Sequence, residues 1–174
     1  AFTFSGSRRW AQTGYSQGTP YNAFSYFLSV EKKFNDQHSL GFVGYGTPNK
    51  RGKTSAVVQE AYDLSGDNFY NPYWGYQNGE VRNSRMSNYH KPMLMLNHYW
   101  TMDENMQLNT SASYMFGRGG GTALNWYNGN DPRPDYYRNL PSYYQDTDPE
   151  YAQYLTNQWQ SNEAFRQLDW DYFY

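Results

Sequence analysis

Cysteine and isoleucine are absent from the 174-residue chain, and aliphatic residues of any kind are few. Without cysteine the chain has no disulfides and no thiol catalysis, and its redox compartment is left open. Leucine, valine and phenylalanine together make up 25 of the 174 residues, and a share below roughly 20% makes a conventional packed core doubtful. The net charge of −2 nevertheless argues against plain disorder.

Long apolar runs are also missing. Mean hydropathy is −1.02, and no stretch approaches the ~18 apolar residues of a membrane-spanning helix. The chain is instead rich in aromatic residues, with 20 Tyr, 10 Phe and 6 Trp. A transmembrane β-barrel suits this composition, because only alternate residues of its strands must be apolar. A soluble, aromatic-rich β-sandwich is the alternative on composition alone.

Residues 23–46 predict a β-hairpin. Phe24, Tyr26, Leu28 and Val30 alternate with mostly polar residues, and a period of two is the period of a strand. The turn formers at 35–37 reverse the chain, since such side chains bond their own backbone. The apolar alternation then resumes on the returning strand.

A second hairpin is predicted over residues 93–117, with a polar turn at 102–104. Its return strand is regular, since every second residue from Met106 to Phe116 is apolar or small and most of the others are polar. The strand over 93–101 is ambiguous. Either Leu94, Leu96 and Trp100 or the alternate residues, Met93, Met95 and Tyr99, form its apolar set.

Connection lengths favour the barrel. Turns of three residues alternate with connections of 44 and 58 residues, and unstructured links beyond ~12–15 residues are uncommon inside compact domains. The sequence therefore predicts an all-β fold, a segment of one large antiparallel transmembrane β-barrel domain over 1–174. About five strands are expected near 1–10, 23–34, 38–46, 92–101 and 105–117. Short turns would face the periplasm, and long outer loops at 47–91 and 118–170 would face outside.

The long loops are the predicted ligand-binding regions. They are dense in Tyr, Trp and Asn, and flat aromatic rings with amides suit the recognition of a sugar or a peptide. The alternative is a loop that packs on itself and plugs the barrel mouth. The candidate substrate-binding residues are Tyr73, Trp74, Tyr76, Trp126, Tyr127, Arg133, Tyr136 and Tyr137.

Other site types lack their sequence patterns. The basic turn at 47–55 reads as a solvated loop, because it has no interleaved aromatic residues and the chain is not basic, so no nucleic acid is expected. The acidic turn at 146–150 lacks the calcium-loop pattern, and the three histidines lack a zinc spacing. No catalytic residue, metal or cofactor is predicted, and the chain is not expected to be an enzyme.

Three stretches carry a family resemblance: GSRRWAQTGYSQGTPYNAFSYFLSVEKKFNDQHSLGFVGYGTPNKRG, YNPYWGYQNGEVRNSRMSNYHKP and TALNWYNGNDPRPDYYRNLPSYY. They resemble the barrel of TonB-dependent outer-membrane receptors, in the subgroup with a carboxypeptidase-regulatory-like N-terminal domain. The resemblance implies a plugged barrel of about 22 strands in the cell outer membrane that imports a scarce nutrient. The plug and the TonB-contacting segment are expected outside this chain.

The resemblance also implies partners. TonB and its inner-membrane energising complex would act through other parts of the protein, a surface lipoprotein is a further expected partner, and outer-membrane lipid would surround the strands. The imported ligand, whether peptide, glycan or chelate, is left open. The alternative function is a non-transporting surface β-protein, either an aromatic-rich carbohydrate-binding module or a structural barrel in an envelope complex.

Overall fold

The computed structural model describes residues 1–126 and 128–173. Strands account for 43% of the chain and helices for 19%. The prediction of a chain built mainly on antiparallel β-structure is therefore confirmed, with two helices and several 3₁₀ turns in addition. No helix in the described ranges is long and apolar enough to cross a membrane.

Ten strands and two α-helices follow one another along the described residues. The strands are β1 (Phe2–Ala11), β2 (Tyr21–Lys33), β3 (His38–Gly46), β4 (Asn49–Gly52), β5 (Trp74–Gln77), β6 (Glu80–Asn83), β7 (Met86–His90), β8 (Met93–Asp103), β9 (Met106–Met115) and β10 (Arg118–Gly121). The helices are α1 (Gln59–Ser65) and α2 (Pro149–Ser161), and 3₁₀ turns lie at Tyr137–Asn139, Pro141–Tyr143, Glu163–Arg166 and Asp171–Phe173.

Eight strands form one sheet in the order β10-β7-β4-β2-β3-β8-β9, with β1 also paired to β2. Strands β5 and β6 form a separate pair. The sheet is not closed into a barrel within the described residues. The five predicted strands coincide with β1, β2, β3, β8 and β9, while β4 to β7 and β10 lie where long loops were expected.

Prolines explain two of the interruptions between strands. Pro48 separates β3 from β4, and Pro92 separates β7 from β8. Because proline has no N–H to donate, the ladder of backbone hydrogen bonds breaks at these positions. The carbonyls still take part, since Pro48 O accepts from Phe24 N at 3.0 Å and Pro92 O accepts from Phe116 N at 3.2 Å.

The chain divides into two compact units. The sheet unit comprises 1–10, 22–50 and 88–120, and the loop unit comprises 11–21, 51–87 and the described residues from 121 onward. The sequence predicts one domain over 1–174. The two units arise because the long connections, in which little strand pattern was visible, contain buried residues of their own.

In the sheet unit, strand register places one apolar set on a single face. Leu28 lies opposite Gly44, Gly44 opposite Leu94, and Leu94 opposite Tyr114. Directly opposed residues of antiparallel strands point to the same side of the sheet. We call this side the apolar face, and it carries Tyr26, Leu28, Val30, Leu40, Phe42, Leu94, Leu96, Trp100, Leu108, Ala112 and Tyr114. Near the tight turns it also carries Lys32, His38, His98 and Thr110.

This register resolves the ambiguity of the strand over 93–101. Leu94, Leu96 and Trp100 share the face of Leu28 and Leu108. Met93, Met95 and Tyr99 lie on the other face.

No second layer covers the apolar face in the sheet unit. The exposed fractions of Leu28, Val30 and Leu108 are 40%, 41% and 44%, and Ala112 is exposed as well. In a β-sandwich these side chains would be buried between two sheets. The apolar face of the sheet unit is instead open.

The opposite face is mostly polar over the half nearest the tight turns. Asn97 lies opposite Gly41 and Ser111, and the Ser111 hydroxyl donates to Asn97 Oδ1 at 2.8 Å. Gln107 and Asn109 follow on β9. One side of the sheet is thus mainly apolar, and the other carries hydrogen-bonding groups over the half nearest the tight turns.

Both predicted tight turns are present in the sheet unit. The Asn35 side-chain oxygen accepts from Gln37 N at 2.9 Å and from His38 N at 2.8 Å. Asp103 Oδ1 accepts from Asn105 N at 2.8 Å. These are the local side-chain-to-backbone bonds for which Asn and Asp favour turns.

The loop unit has a hydrophobic core of its own. Trp159 is completely buried against Ala61, Tyr70 and Leu140, and its indole N–H donates to Asn139 O at 3.0 Å. The rings of Tyr70 and Trp159 pack edge to face at 5.5 Å. A buried indole with its donor satisfied stabilises the fold through its large apolar area without an unpaired polar group.

Two buried asparagines connect the strands and turns of the loop unit. Asn71 Nδ2 donates to Gln17 O at 2.9 Å, and Asn83 Nδ2 donates to Gly18 O at 2.6 Å and to Lys53 O at 2.9 Å. Gly18 has φ +67°, and a Cβ there would overlap the indole of Trp74. These contacts show that the connection packs on itself in this part of the molecule.

Candidate functional site

The seven predicted substrate-binding residues that the structure describes belong to the loop unit, but they are not equally accessible. Trp74 is only 5% exposed and packs beneath Gly18. Tyr76, which contacts Trp74 edge to face at 5.5 Å, is 51% exposed. Tyr73 is half-buried, and the Arg85 guanidinium lies 5.6 Å from its ring centroid. Of these three residues, only Tyr76 presents a large free surface.

Trp126 is half-buried, and its carbonyl accepts from Gly129 N at 3.0 Å. Tyr127 lies outside the described residues, so its predicted role has no structural counterpart.

Arg133 is engaged by carboxylates. Its Nη2 lies 2.6 Å from Asp131 Oδ2, and its Nε lies 3.8 Å from Asp135 Oδ1. The hydrogen bond to Asp131 is the main cause that raises the pKa of Arg133. The guanidinium therefore holds the loop at 131–135 together before any ligand arrives.

Asp135 has the most buried side chain of this cluster. Burial raises the pKa of its carboxyl above the ordinary value of 3.8, and Arg133 offsets part of that effect. Its Oδ1 is buried and has no hydrogen-bond partner among the described residues. Burial disfavours the charged form of a carboxylate. The stability of the loop unit should therefore depend on the protonation state of Asp135.

A row of tyrosine rings, most of them in edge-to-face contact, is the candidate binding surface of the loop unit. We call Tyr136, Tyr137, Tyr143, Tyr144, Tyr151 and Tyr154 the tyrosine ladder. Neighbouring rings contact one another with centroids 4.6 to 5.8 Å apart. Four of the rings are broadly exposed, namely Tyr137 at 49%, Tyr143 at 46%, Tyr151 at 41% and Tyr154 at 51%.

Local structure explains how the ladder is held. Asp148 caps α2 by accepting from Tyr151 N at 3.0 Å, and residues three apart in a helix lie on one face, as Tyr151 and Tyr154 do. The 3₁₀ turn that carries Tyr143 begins at Pro141, whose fixed φ favours a helical start. Glu60 accepts from Ser142 N at 2.9 Å and from Ser142 Oγ at 2.6 Å, which ties this turn to α1.

The ladder carries one cation. Arg138 Nε donates to the Tyr137 hydroxyl at 3.0 Å. Hydrogen bonds from Tyr136 and Arg138 lower the pKa of the Tyr137 hydroxyl. An exposed row of rigid rings with phenol and guanidinium groups can stack on flat or ring-shaped ligand parts and bond their hydroxyl or carbonyl oxygens.

Sequence reasoning found only part of this surface. Tyr136 and Tyr137 were predicted as binding residues, whereas Tyr143, Tyr144, Tyr151 and Tyr154 were not. The available signal was the three-residue spacing of Tyr151 and Tyr154, which directly follow the helix start at Asp148 and Pro149.

The loop unit also contains a cavity of about 210 Å³ beside Asp67, Tyr70, Asn71 and Arg166. Its polar groups already have partners in the fold. Arg166 Nη1 donates to Ser65 O at 3.0 Å, and the Tyr70 hydroxyl donates to Arg166 O at 2.9 Å. We therefore regard the cavity as structural.

Metal sites are not suggested by the coordinates. Within residues 1–126 and 128–173, no group of three or more His, Asp or Glu side chains could hold a metal ion.

Comparisons with known proteins identify no relative. No protein-family model matches the chain, and neither the search of curated proteins nor the search of solved structures found a match.

Proposed function

We propose that this chain is part of the β-barrel of a TonB-dependent receptor in the outer membrane, which takes up a scarce nutrient. The observation that carries the proposal is the uncovered apolar face of the sheet unit. Leu28, Val30 and Leu108 are each at least 40% exposed, and lipid is the medium in which such a face is stable.

The dimensions of the apolar face support a bilayer. Residues 24 to 34 span ten steps along β2 and its turn, or roughly 33 Å at ~3.3 Å per residue. A strand tilt of ~40° reduces this length to a height of roughly 25 Å, which is the height of the apolar band on outer-membrane barrels. A strand of this length is long for a small soluble sheet.

Aromatic residues are grouped at both ends of this face, as in interfacial girdles. At the end with the tight turns, the rings of His38 and Trp100 stack at 5.4 Å, and Phe34 is 59% exposed. At the other end the rings of Tyr114 and Phe116 stack at 5.5 Å. In the proposed topology the tight turns face the periplasm and the long connections face outside.

The tyrosine ladder supplies the ligand-binding part of the proposal. Four of its rings are broadly exposed, and rigid aromatic rings bind with little loss of side-chain entropy. A peptide, a glycan or an aromatic chelate would each suit it. Transport would then depend on TonB and its inner-membrane complex, with a surface lipoprotein as a further partner, through parts of the protein outside the described residues.

One alternative is favoured by the same ladder. A non-transporting surface protein that binds carbohydrate would use these rings equally well. It would not need an apolar sheet face, because a soluble module would bury that face in its own core. A structural barrel in an envelope complex would keep the apolar face and would not need the ladder.

Fractionation and uptake distinguish these functions. We expect the full-length protein to sediment with outer membranes until detergent is added. We further expect cells to lose growth on one limiting oligosaccharide, peptide or iron chelate, both when Tyr137 and Tyr151 are changed to Ala and when the inner-membrane energising complex is inactivated. Release without detergent, or growth that is independent of the energising complex on every nutrient, would contradict the proposal.

A further inference from the structure

A broad groove lies on the sheet unit at the end of the apolar face remote from the tight turns. Its volume is about 610 Å³, and its lining includes Asn22, Phe24, Lys50, Asn88, His90 and Arg118. Phe24 N bonds Pro48 O at 3.0 Å, so the pairing of β2 continues past Tyr26 into the strand segment that carries Lys50. The groove is therefore the continuation of the face that bears Tyr26 and Leu28.

The groove is cationic. Lys50 and Arg118 line it, His90 shares a hydrogen bond of 3.0 Å with the Tyr26 hydroxyl, and no lining residue is acidic. Arg8 lies at its border, where Arg8 Nε donates to Asn22 Oδ1 at 3.3 Å. The opposite end of the sheet unit differs, because Lys33 there is paired with Asp36 at 2.7 Å.

We propose that this groove binds the phosphate headgroup of an anionic lipid whose acyl chains lie along the apolar face. Lysine and arginine side chains are the usual partners of phosphate oxygens, and the amides of Asn22 and Asn88 add donors between them. The inference rests on the proposed membrane location of the sheet unit.

A lipid is favoured over a free anion as the ligand because the cationic groove is continuous with the apolar face. Phe24 is 47% exposed and lines the groove. Leu28 lies two residues beyond Tyr26 on the same face of β2. A ligand with a phosphate and acyl chains would occupy the cationic and the apolar parts together. Inorganic phosphate would gain only the charge interactions, which are screened by salt at an exposed site.

The chain provides matched controls, because basic residues occur in adjacent pairs. Arg8 is followed by Arg9, and Lys50 by Arg51. Successive residues of a strand point to opposite faces, so Arg9 and Arg51 carry the same charge on the other side of the sheet. A variant with Arg8→Gln and Lys50→Gln can thus be compared with one that has Arg9→Gln and Arg51→Gln.

The test is lipid retention by the full-length protein in mixed micelles, measured by native mass spectrometry with phosphatidylglycerol, phosphatidylcholine or inorganic phosphate as the probe. We expect preferential retention of phosphatidylglycerol, roughly fivefold weaker for each groove cation removed and unchanged in the Arg9 and Arg51 variant. Thermal unfolding in detergent checks that both variants are folded.

Three outcomes would overturn the inference: equal retention of the two lipids, equal loss in both variants, or displacement of phosphatidylglycerol by inorganic phosphate at similar concentrations. These outcomes differ from a failure of the proposed function. If the protein retains neither lipid and needs no detergent, the membrane location itself is wrong. If it retains both lipids alike, only the headgroup site is lost.

Discussion

The two units of this chain differ in their aromatic residues, because only the loop unit buries some of them in a core of its own, while its tyrosine ladder stays exposed. In the sheet unit Phe4 is 73% exposed and Trp10 is 63% exposed, whereas Trp159 of the loop unit is completely buried. The residue types are the same in both units, so the difference lies in what surrounds them. The loop unit supplies its own apolar interior, whereas many apolar side chains of the sheet unit stay exposed.

Polar groups show the same contrast. In the loop unit, Asn71 and Asn83 are buried and bond to backbone carbonyls, because a buried polar group without a partner costs free energy. In the sheet unit, Asn97 and Ser111 bond one another on an open polar face. If lipid surrounds the sheet unit as proposed, one polypeptide combines a unit that has its own core with a sheet face that requires lipid, and substitutions in each unit can test this.

The largest expected effect is the loss of the Trp159 side chain. Trp159→Ala would leave a cavity among Ala61, Tyr70 and Leu140 and lower the free energy of unfolding of the loop unit by about 3–5 kcal/mol. Trp10→Ala removes an exposed ring from the sheet unit and should change the free energy of unfolding of that unit by less than about 0.5 kcal/mol. Hydrogen exchange read peptide by peptide measures both, and equal loss of protection in the two variants would remove the contrast between the units.

A charge on the apolar face should have the next largest effect. Ala112→Arg would place a guanidinium midway along β9 on the apolar side, at a cost of about 2–4 kcal/mol near a bilayer midplane. Ser113→Arg, one residue further, points to the polar face and should cost little. Refolding into lipid bilayers under a urea gradient reports the difference, and equal stability of the two variants would argue that lipid does not receive the apolar face.

The Asp135 carboxyl provides a pH test within the loop unit. Because burial raises its pKa in the folded state above the ordinary 3.8, the folded protein holds a proton that the unfolded chain has already released. The free energy of unfolding therefore falls as pH rises through that window. Asp135→Asn should remove this decline and raise the melting temperature at pH 7 by a few degrees.

The control for this pH test is Asp146→Asn, which changes an exposed carboxylate. Its melting curve should keep the pH dependence of the unaltered protein. A decline of the same size in the Asp135 variant would show that another group is responsible.

The strands were predictable because their signal is local. Alternation along Met106 to Phe116 and the turn formers at Asn35 and Asp103 depend on residues that are neighbours in sequence. Pro48 and Pro92 likewise mark the breaks between strands. The choice of face for Leu94 and Leu96 was not local, since it depends on the pairing of β8 with β3 and β9, and the sequence of that strand was apolar on both sides.

The loop unit was harder to predict because its core comes from distant segments. Trp159 packs on Ala61 and Leu140, and Asn83 bonds to Gly18. None of these pairs is periodic in sequence. For the same reason Tyr151 and Tyr154 were not recognised as part of one surface with Tyr136, while Trp74 was predicted as a binding residue although its ring is needed beneath Gly18.

The central claim is that lipid surrounds the apolar face of the sheet, and spin labels test this claim most directly. The chain has no cysteine, so Leu108→Cys, Gln107→Cys, Ala112→Cys and Ser113→Cys each provide a unique labelling position in the membrane-reconstituted protein. The collision rates of each label with oxygen, which is enriched in lipid, and with a water-soluble nickel chelate are then compared. We predict a period of two, with labels at 108 and 112 accessible to oxygen and labels at 107 and 113 accessible to the chelate. Labels at 108 and 112 that are shielded from both reagents, or open to the chelate, would contradict a lipid-facing sheet.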